Sequence, residues 1–204
     1  MKIAGKLMLL VGSAIFSLVI AFCIVGFLII TDSGNSSARK QLDVAARTMQ
    51  QNINESIKIQ GLLSDMITRD TEFIEALAAR DAVALRRIAK DLVGKPGVDL
   101  TTICDDQGKV LARGHSDKAG DILGPKRMSS VIPLTQGKRV TGMEPGNEVR
   151  LTLASGTPIY HQGKIVGAII IGQALSSGEF VDSIKRSLDV ECTIFLDDTR
   201  ISTT

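Results

Sequence analysis

The segment GKVLARGHSDKAGD, residues 108–121, holds the densest group of chemically capable side chains in the sequence. Four ionisable groups and one hydroxyl fall within six consecutive residues: Arg113, His115, Ser116, Asp117 and Lys118. Arginine offers paired donors that match a carboxylate, and histidine adds a donor that titrates near neutral pH. The residue types therefore suggest catalysis, a binding site for a small anion, or an ordinary solvated loop.

Catalysis is disfavoured by the way these groups are arranged. A Ser–His–Asp triad is built from side chains that converge in space, whereas neighbours along one loop point apart. The sequence contains no Gly-x-Ser-x-Gly elbow and no glycine-rich phosphate loop. The pairs Asp105-Asp106 and Asp197-Asp198 fall in predicted hairpin turns, where aspartate is favoured for turn geometry. We therefore expect that the protein is not an enzyme.

Alternation along two predicted strands favours an anion site. If the strand that contains Arg113 continues to His115, its two-residue period places both side chains on one face. In the predicted strand 148–160, Arg150 and Thr152 share a face in the same way. The predicted ligand-binding residues are Arg113, His115, Lys118, Arg150, Thr152 and Tyr160. The alternative is a solvated loop, an exposed strand arginine and a tyrosine at the edge of the core.

Composition narrows the class of partner. Without Lys2 and Lys6, 22 of the 24 basic residues remain, against 22 acidic residues. A net charge near zero disfavours nucleic acid as a partner, and the aromatic content of 3% leaves few stacking platforms. Two histidines and three scattered cysteines give no metal-ligand spacing, so we expect no metal and no cofactor. Cys104 and Cys192 are predicted to be small buried side chains, with a disulfide as the alternative.

The N-terminal segment predicts a membrane anchor. No residue from Leu7 to Ile30 is charged. About 24 residues form a helix of roughly 36 Å, which is enough to cross a hydrocarbon core of about 30 Å. A cleaved signal peptide would have a shorter apolar region and a small-x-small cleavage site, which this run lacks. We expect one uncleaved span in the inner membrane, with the residues after it outside the cytoplasm.

The elements that must position the candidate site follow this span. After a short polar break at residues 31–37, an apolar stripe with helical spacing predicts a long helix, whose partner is either the following domain or a second subunit. Asp70 or Thr71, and then Asp81, are predicted to cap two shorter helices. From Val98 onwards the period changes to that of strands and hairpins. The predicted fold class is α+β: about five antiparallel strands with helices on one face, tethered by the long helix.

Three segments carry a resemblance to a known family: DDQGKVLARGHSDKAGD, SGTPIYHQGKIVGAIIIG and VECTIFLDDTRISTT. Together with the span and the long helix, they resemble the double Cache sensing region of bacterial methyl-accepting chemotaxis proteins. The resemblance implies a PAS-like sheet and a sensor of small molecules outside the inner membrane. It implies four parts: an N-terminal tail and transmembrane helix (1–30), a helical stalk with connecting helices (31–95), a membrane-distal Cache lobe (96–189) and the first hairpin of an incomplete second lobe (190–204).

The same resemblance frames the expected function. We expect a chemoreceptor input region that binds a small organic anion, transmits through the stalk helix and forms a homodimer along it. Two alternatives remain: a membrane-anchored interaction protein or non-signalling fragment without a ligand, and the sensor region of a histidine kinase or cyclic-dinucleotide enzyme. The segment from Arg113 to His115 resembles the ligand loop of citrate- and dicarboxylate-sensing kinases, with different spacing. Similar sequences carry arginine where this one has Ala154, and Arg150 is the predicted substitute.

Overall fold

The computed structural model describes the backbone of residues 2–146 and 149–204; side chains are described for 39–146 and 149–204 and for Leu18, Ile20, Phe22, Ile24 and Val25. The membrane anchor predicted for residues 7–30 falls on a segment most of whose side chains lie outside this description. Within the described part, no helix carries an apolar run long enough to cross a bilayer. The first helix continues through the polar residues 31–37 and does not start again after them. A helix tolerates an isolated glycine such as Gly34 at modest cost.

The chain divides into two compact units, Met1–Thr48 and Met49–Thr204. The first unit is helical from residue 2 onwards. The second contains the sheet and all the shorter helices. The elements in chain order are α1 (Lys2–Ile67), α2 (Thr71–Ala78), α3 (Ala82–Leu92), β1 (Leu100–Asp105), β2 (Val110–Arg113), α4 (Met128–Gln136), β3 (Val140–Glu144), β4 (Thr152–His161), β5 (Lys164–Ala174), α5 (Gly178–Leu188), β6 (Thr193–Leu196) and β7 (Thr199–Thr203).

Both short helices begin where their capping residues predict. The Asp70 carboxylate accepts a hydrogen bond from the Phe73 backbone N–H at the start of α2. Asp81 caps α3 in the same way, accepting from the N–H groups of Val83 and Ala84 at 3.0 and 3.1 Å. Each cap satisfies donors that the first helical turn leaves without an intrahelical partner.

Five antiparallel strands form the main sheet, in the order β2-β1-β5-β4-β3. This confirms the predicted α+β class and the antiparallel sheet. The predicted strand 148–160 is shorter than expected at its start, because β4 begins only at Thr152 and Arg150 lies in a bend before it. Thr102 on β1 pairs with Arg113 on β2 and, on its other side, with Ile170 on β5.

Helices cover both faces of this sheet, so the prediction of helices on one face is wrong. On one face, α2, α3 and the end of α1 pack on a core that includes Phe73, Leu85 and Ile169. On the other face, Ile170 belongs to a smaller cluster against which Leu134 of α4 packs. The two isoleucines are adjacent in β5 and therefore point to opposite faces.

Glycine on β4 explains how α4 comes so close to the sheet. A Cβ atom added at Gly156 would lie 1.7 Å from the backbone oxygen of Ser129 in α4. Only hydrogen occupies that position, so the helix backbone rests directly on the strand. Sequence periodicity does not reveal which face receives such a helix, because its own apolar pattern is short and interrupted by Pro133.

The remaining elements form a separate small hairpin. β6 and β7 pair antiparallel in a two-stranded sheet, as predicted. The Ser202 hydroxyl donates to the Ser177 carbonyl at 3.4 Å, and Lys185 forms an ion pair with Glu191 at 2.6 Å. The hairpin therefore contacts the α5 region, while its large residue Phe195 is 59% exposed.

Candidate functional site

A polar cleft lies on the face of the sheet that also carries α4. The space in which the centre of a water molecule fits is about 20 Å³, which is room for roughly one ordered water molecule. The strands contribute alternate side chains to this face, and loops after β2 and before β4 complete the wall. The lining residues are Leu100, Thr102, Arg113, His115, Arg127, Gly146, Val149 and Thr152.

Arg113 is a buried charge held by a neighbouring loop. Its side chain is 8% exposed, and its guanidinium donates to both carboxylate oxygens of Asp121 at 2.8 Å. It also donates to the backbone carbonyl of Lys118 at 2.9 Å. The sequence suggested that the two parallel donors of Arg113 would bind a ligand carboxylate. In the structure these donors bind the carboxylate of Asp121 instead. The Arg113 guanidinium lowers the pKa of Asp121, and the charge of Arg127 contributes to the same shift.

The loop that contains Asp121 is fixed at several points. Asp117 forms ion pairs with Arg86 at 3.2 Å and with Lys90 at 3.7 Å, both on α3. At the start of the loop, a Cβ atom at Gly114 would lie 2.1 Å from the Ala89 carbonyl oxygen. The loop is therefore more ordered than the solvated turn offered as an alternative by the sequence.

Arg127 is the lining residue that sequence reasoning missed. It precedes α4, and its side chain is only 17% exposed. Among the described residues, its guanidinium approaches one carboxylate, that of Glu144 at 4.0 Å, and donates no hydrogen bond. Glu144 is itself satisfied by the N–H and hydroxyl of Ser129. The available signal was a basic residue between the two predicted strand segments, and basic residues are too common to be informative.

The predicted site residues separate into two groups. Arg113, His115 and Thr152 line the cleft together. Lys118 is exposed on the loop, and its backbone carbonyl accepts a hydrogen bond from Arg113. Arg150 is exposed in the bend before β4 and does not share the strand face of Thr152.

Tyr160 lies far from the cleft. It is eight residues beyond Thr152 along β4, roughly 25 Å at the usual rise per residue. Its side chain is 47% exposed, and its hydroxyl donates to the Gly137 carbonyl at 3.1 Å. It occupies the core-edge position that the sequence left open as its alternative. The binding roles predicted for all six residues remain predictions.

Of the two cysteines predicted to be buried, only Cys104 is. Cys104 and Cys192 are both free, the first fully buried and the second half-buried. Burial raises the pKa of the Cys104 thiol to about 12, so it stays protonated near neutral pH. The described residues contain no cluster of histidine, cysteine, aspartate and glutamate that would hold a metal ion.

Solved structures share this fold at low sequence identity. The Escherichia coli DcuS sensor domain superposes with a TM-score of 0.55 at 14% identity, over 69% of this chain and 99% of the sensor-domain chain. The sensor domain of the Vibrio cholerae histidine kinase DctB gives a TM-score of 0.57 at 15% identity, over 82% of this chain and 66% of the sensor-domain chain. The ligand-binding domain of Mlp24, solved with asparagine, gives a TM-score of 0.51 at 16% identity, over 82% of this chain and 69% of that domain's chain.

Sequence comparison identifies the family directly. No curated protein sequence matches the chain. Residues 35–204, which include the whole sheet and the cleft, match dCache_3, described as the double sensory domain of two-component sensor kinases. The chain therefore belongs to the dCache_3 family of sensory domains.

Proposed function

We propose that this chain is the sensory input region of a membrane receptor and that its cleft binds a small organic anion. The observation that carries the proposal is the convergence of Arg113, His115 and Arg127 in one cleft with the side chains of Thr102 and Thr152. Arginine and histidine donate to carboxylates, and threonine hydroxyls add neutral donors or acceptors. The proposed role of the chain is binding rather than catalysis.

Arg127 is the proposed primary contact with the anion. Asp121 already occupies the paired donors of Arg113 at 2.8 Å. Arg127 lies largely buried beside the cleft, with its nearest described carboxylate 4.0 Å away. A buried guanidinium gains more from a directly bonded carboxylate than from one at that distance. In this arrangement Arg113 contributes charge and fixed geometry, while Arg127 contributes the hydrogen bonds.

The location and transmission route follow the sequence prediction. We propose a single span at residues 7–30 in the inner membrane, with the sensory unit on the periplasmic side. The ligand acts by favouring one arrangement of the stalk helix or of a dimer along it, which requires different affinities for the two arrangements. The similarity in fold to the sensor domains of DcuS and DctB supports this proposal.

Two outputs are proposed in order of support. The family description names two-component sensor kinases, which favours a kinase. The chemoreceptor predicted from the sequence is the second candidate, supported by the resemblance of the hairpin and meander segments to chemotaxis proteins. The coding sequence after Thr204 separates them, since a kinase module and a methylated coiled coil have different sequences. A stop codon directly after Thr204 would contradict both and favour the non-signalling alternative.

Thermal melting of the full chain against a panel of small organic anions tests the cleft. A ligand at one hundred times its Kd stabilises the folded state by about 2.7 kcal/mol. At about 2–4 °C per kcal/mol, the melting temperature should rise by several degrees. Arg127→Gln should abolish the rise caused by the active anion. Lys126→Gln removes the same charge from an exposed neighbour and should preserve it.

Two results would contradict the proposal: the absence of any shift across mono-, di- and tricarboxylates and amino acids, or an equal shift in Arg127→Gln. A pH series adds a test of His115. If a protonated imidazole takes part, binding should strengthen from pH 8 to pH 6, because it then donates from both nitrogens.

A further inference from the structure

The cleft has little space beyond the positions of its donors. About 20 Å³ is open to the centre of a water molecule, which is room for roughly one ordered water. The guanidinium of Arg127 also lies close to the backbone of Gly146, since a Cβ atom added there would be 3.3 Å from Arg127 Nη2. A carboxylate that bonds to Arg127 can take the place of the water, but a larger part of the ligand finds no room beside it.

The walls of the cleft are held by contacts that resist widening. Leu100 is buried, and a Cβ atom added at Gly172 would lie 2.9 Å from Leu100 Cδ1, so this side chain packs directly on β5. The Thr152 hydroxyl donates to the Glu144 carbonyl at 3.1 Å. Arg113 is fixed by its hydrogen bonds to the neighbouring loop. A wider cleft would lose packing or break these hydrogen bonds, and both changes cost free energy.

The charges around the cleft suit one additional carboxylate. Its described lining includes two arginines, Arg113 and Arg127, and one histidine, His115. Arg113 is already paired with Asp121 at 2.8 Å, which leaves Arg127, 4.0 Å from Glu144, as the arginine that bonds to a ligand. A second ligand carboxylate would find no further arginine or lysine in this described wall. Burying a carboxylate without such a cation costs free energy.

We propose that the cleft admits one carboxylate group of its ligand and that the rest of the ligand stays outside, at the mouth of the cleft. This deepens the proposed function and rests on it, because Arg127 must bind an anion. The ligand class is then a molecule with an unhindered carboxylate, recognised through that group alone. A dicarboxylate can bind in the same way, but its second carboxylate does not contribute to the affinity.

Thermal melting of the full chain at pH 7 and constant ionic strength tests this with acetate, succinate, monomethyl succinate and dimethyl succinate. The concentration that gives half of the maximal melting shift measures the relative affinity of each compound. Acetate, succinate and the monomethyl ester should agree within about threefold, which allows for the roughly twofold statistical advantage of a molecule with two carboxylates. The dimethyl ester should give no shift, because it has no carboxylate.

A selective response to succinate would overturn the inference. If succinate acted at a concentration at least about tenfold below that of its monomethyl ester, the second carboxylate would be bonded in the cleft. Arg127→Gln should abolish the shifts of all three carboxylates, whereas Lys126→Gln, at an exposed neighbouring position, should preserve them. Loss of the succinate shift alone in Arg127→Gln would also overturn the inference. A melt that no carboxylate shifts would instead contradict the proposed function, and this inference with it.

Discussion

At the scale of the residue, Arg113 depends on a carboxylate supplied by an exposed loop. Its side chain is 8% exposed, whereas that of Asp121 is 45% exposed. A buried charge must be paired and hydrogen-bonded, so removing one of its partners leaves a cost that water does not fully relieve. Removing the exposed Asp121 carboxylate therefore leaves a buried charge at Arg113, whereas removing Arg113 leaves a carboxylate that water solvates. The stability that the ion pair contributes depends on pH through Asp121.

We predict that Asp121→Asn lowers the free energy of unfolding by about 1–2 kcal/mol at pH 7, since half of the pair is solvent-screened. Arg113 lowers the pKa of Asp121 below 3.8, so the stabilisation is present above the unfolded-state value and is lost as pH falls through the folded-state value. Urea unfolding at pH 7 and below pH 4 should show the difference between wild type and variant shrinking in acid.

Asp117→Asn is the matched control for this prediction. Its side chain is 79% exposed and, among the residues whose side chains are described, pairs with partly exposed cations on α3. Such surface pairs contribute less than about 1 kcal/mol. If both variants lost the same stability, or if the Asp121→Asn deficit persisted in acid, the account of Arg113 as a buried charge that needs this partner would be wrong.

At the scale of the element, the close packing of α4 on the sheet depends on Gly156. A Cβ atom there would lie 1.7 Å from Ser129 O and 2.6 Å from its carbonyl carbon. Gly156→Ala should therefore displace α4, at a cost of about 1–3 kcal/mol for an overpacked core. Because Arg127 directly precedes α4, the anion-induced melting shift should also weaken.

Gly142→Ala provides the comparison for this helix. Gly142 lies on the adjacent strand β3, and an added Cβ atom would meet nothing within 4 Å. Its effect on unfolding should stay within about 0.5 kcal/mol. Calorimetry of the two variants checks the prediction, and similar melting temperatures would show that α4 does not rest on β4 as described.

At the scale of the whole molecule, exposed apolar side chains on α1 favour the predicted homodimer. Leu62 and Met66 are 61% and 57% exposed and lie one helical turn apart. Leu62→Lys combined with Met66→Lys should shift the full chain in detergent from dimer to monomer in analytical ultracentrifugation. Val83→Lys, which charges an 82% exposed position on α3, should not. A wild-type chain that is monomeric at high concentration would refute the stalk dimer.

The sequence alone determined the features that depend on near neighbours. Asp70 and Asp81 cap their helices because the capped N–H groups lie two or three residues ahead. The turn after β1 forms because Asp105 accepts from Gln107 and Lys109 within its own turn. The spacing of apolar residues distinguished strands from helices. The three segments that resemble chemotaxis sensors indicated a Cache sensor.

The tertiary structure alone decided which groups meet. Arg113 and His115 both line the cleft with Thr152, but β2 ends at Arg113 and His115 lies in the loop after it, so the shared strand face predicted for them is not formed. Arg150 does not line the cleft, because β4 begins two residues after it. No local signal in the sequence indicated that Asp121 would accept both hydrogen bonds of the Arg113 guanidinium, or that Arg127 would line the cleft. These outcomes depend on the path of the loop across α3 and on the approach of α4 to Gly156. Such contacts join segments far apart in the chain, so packing decides them and local periodicity does not.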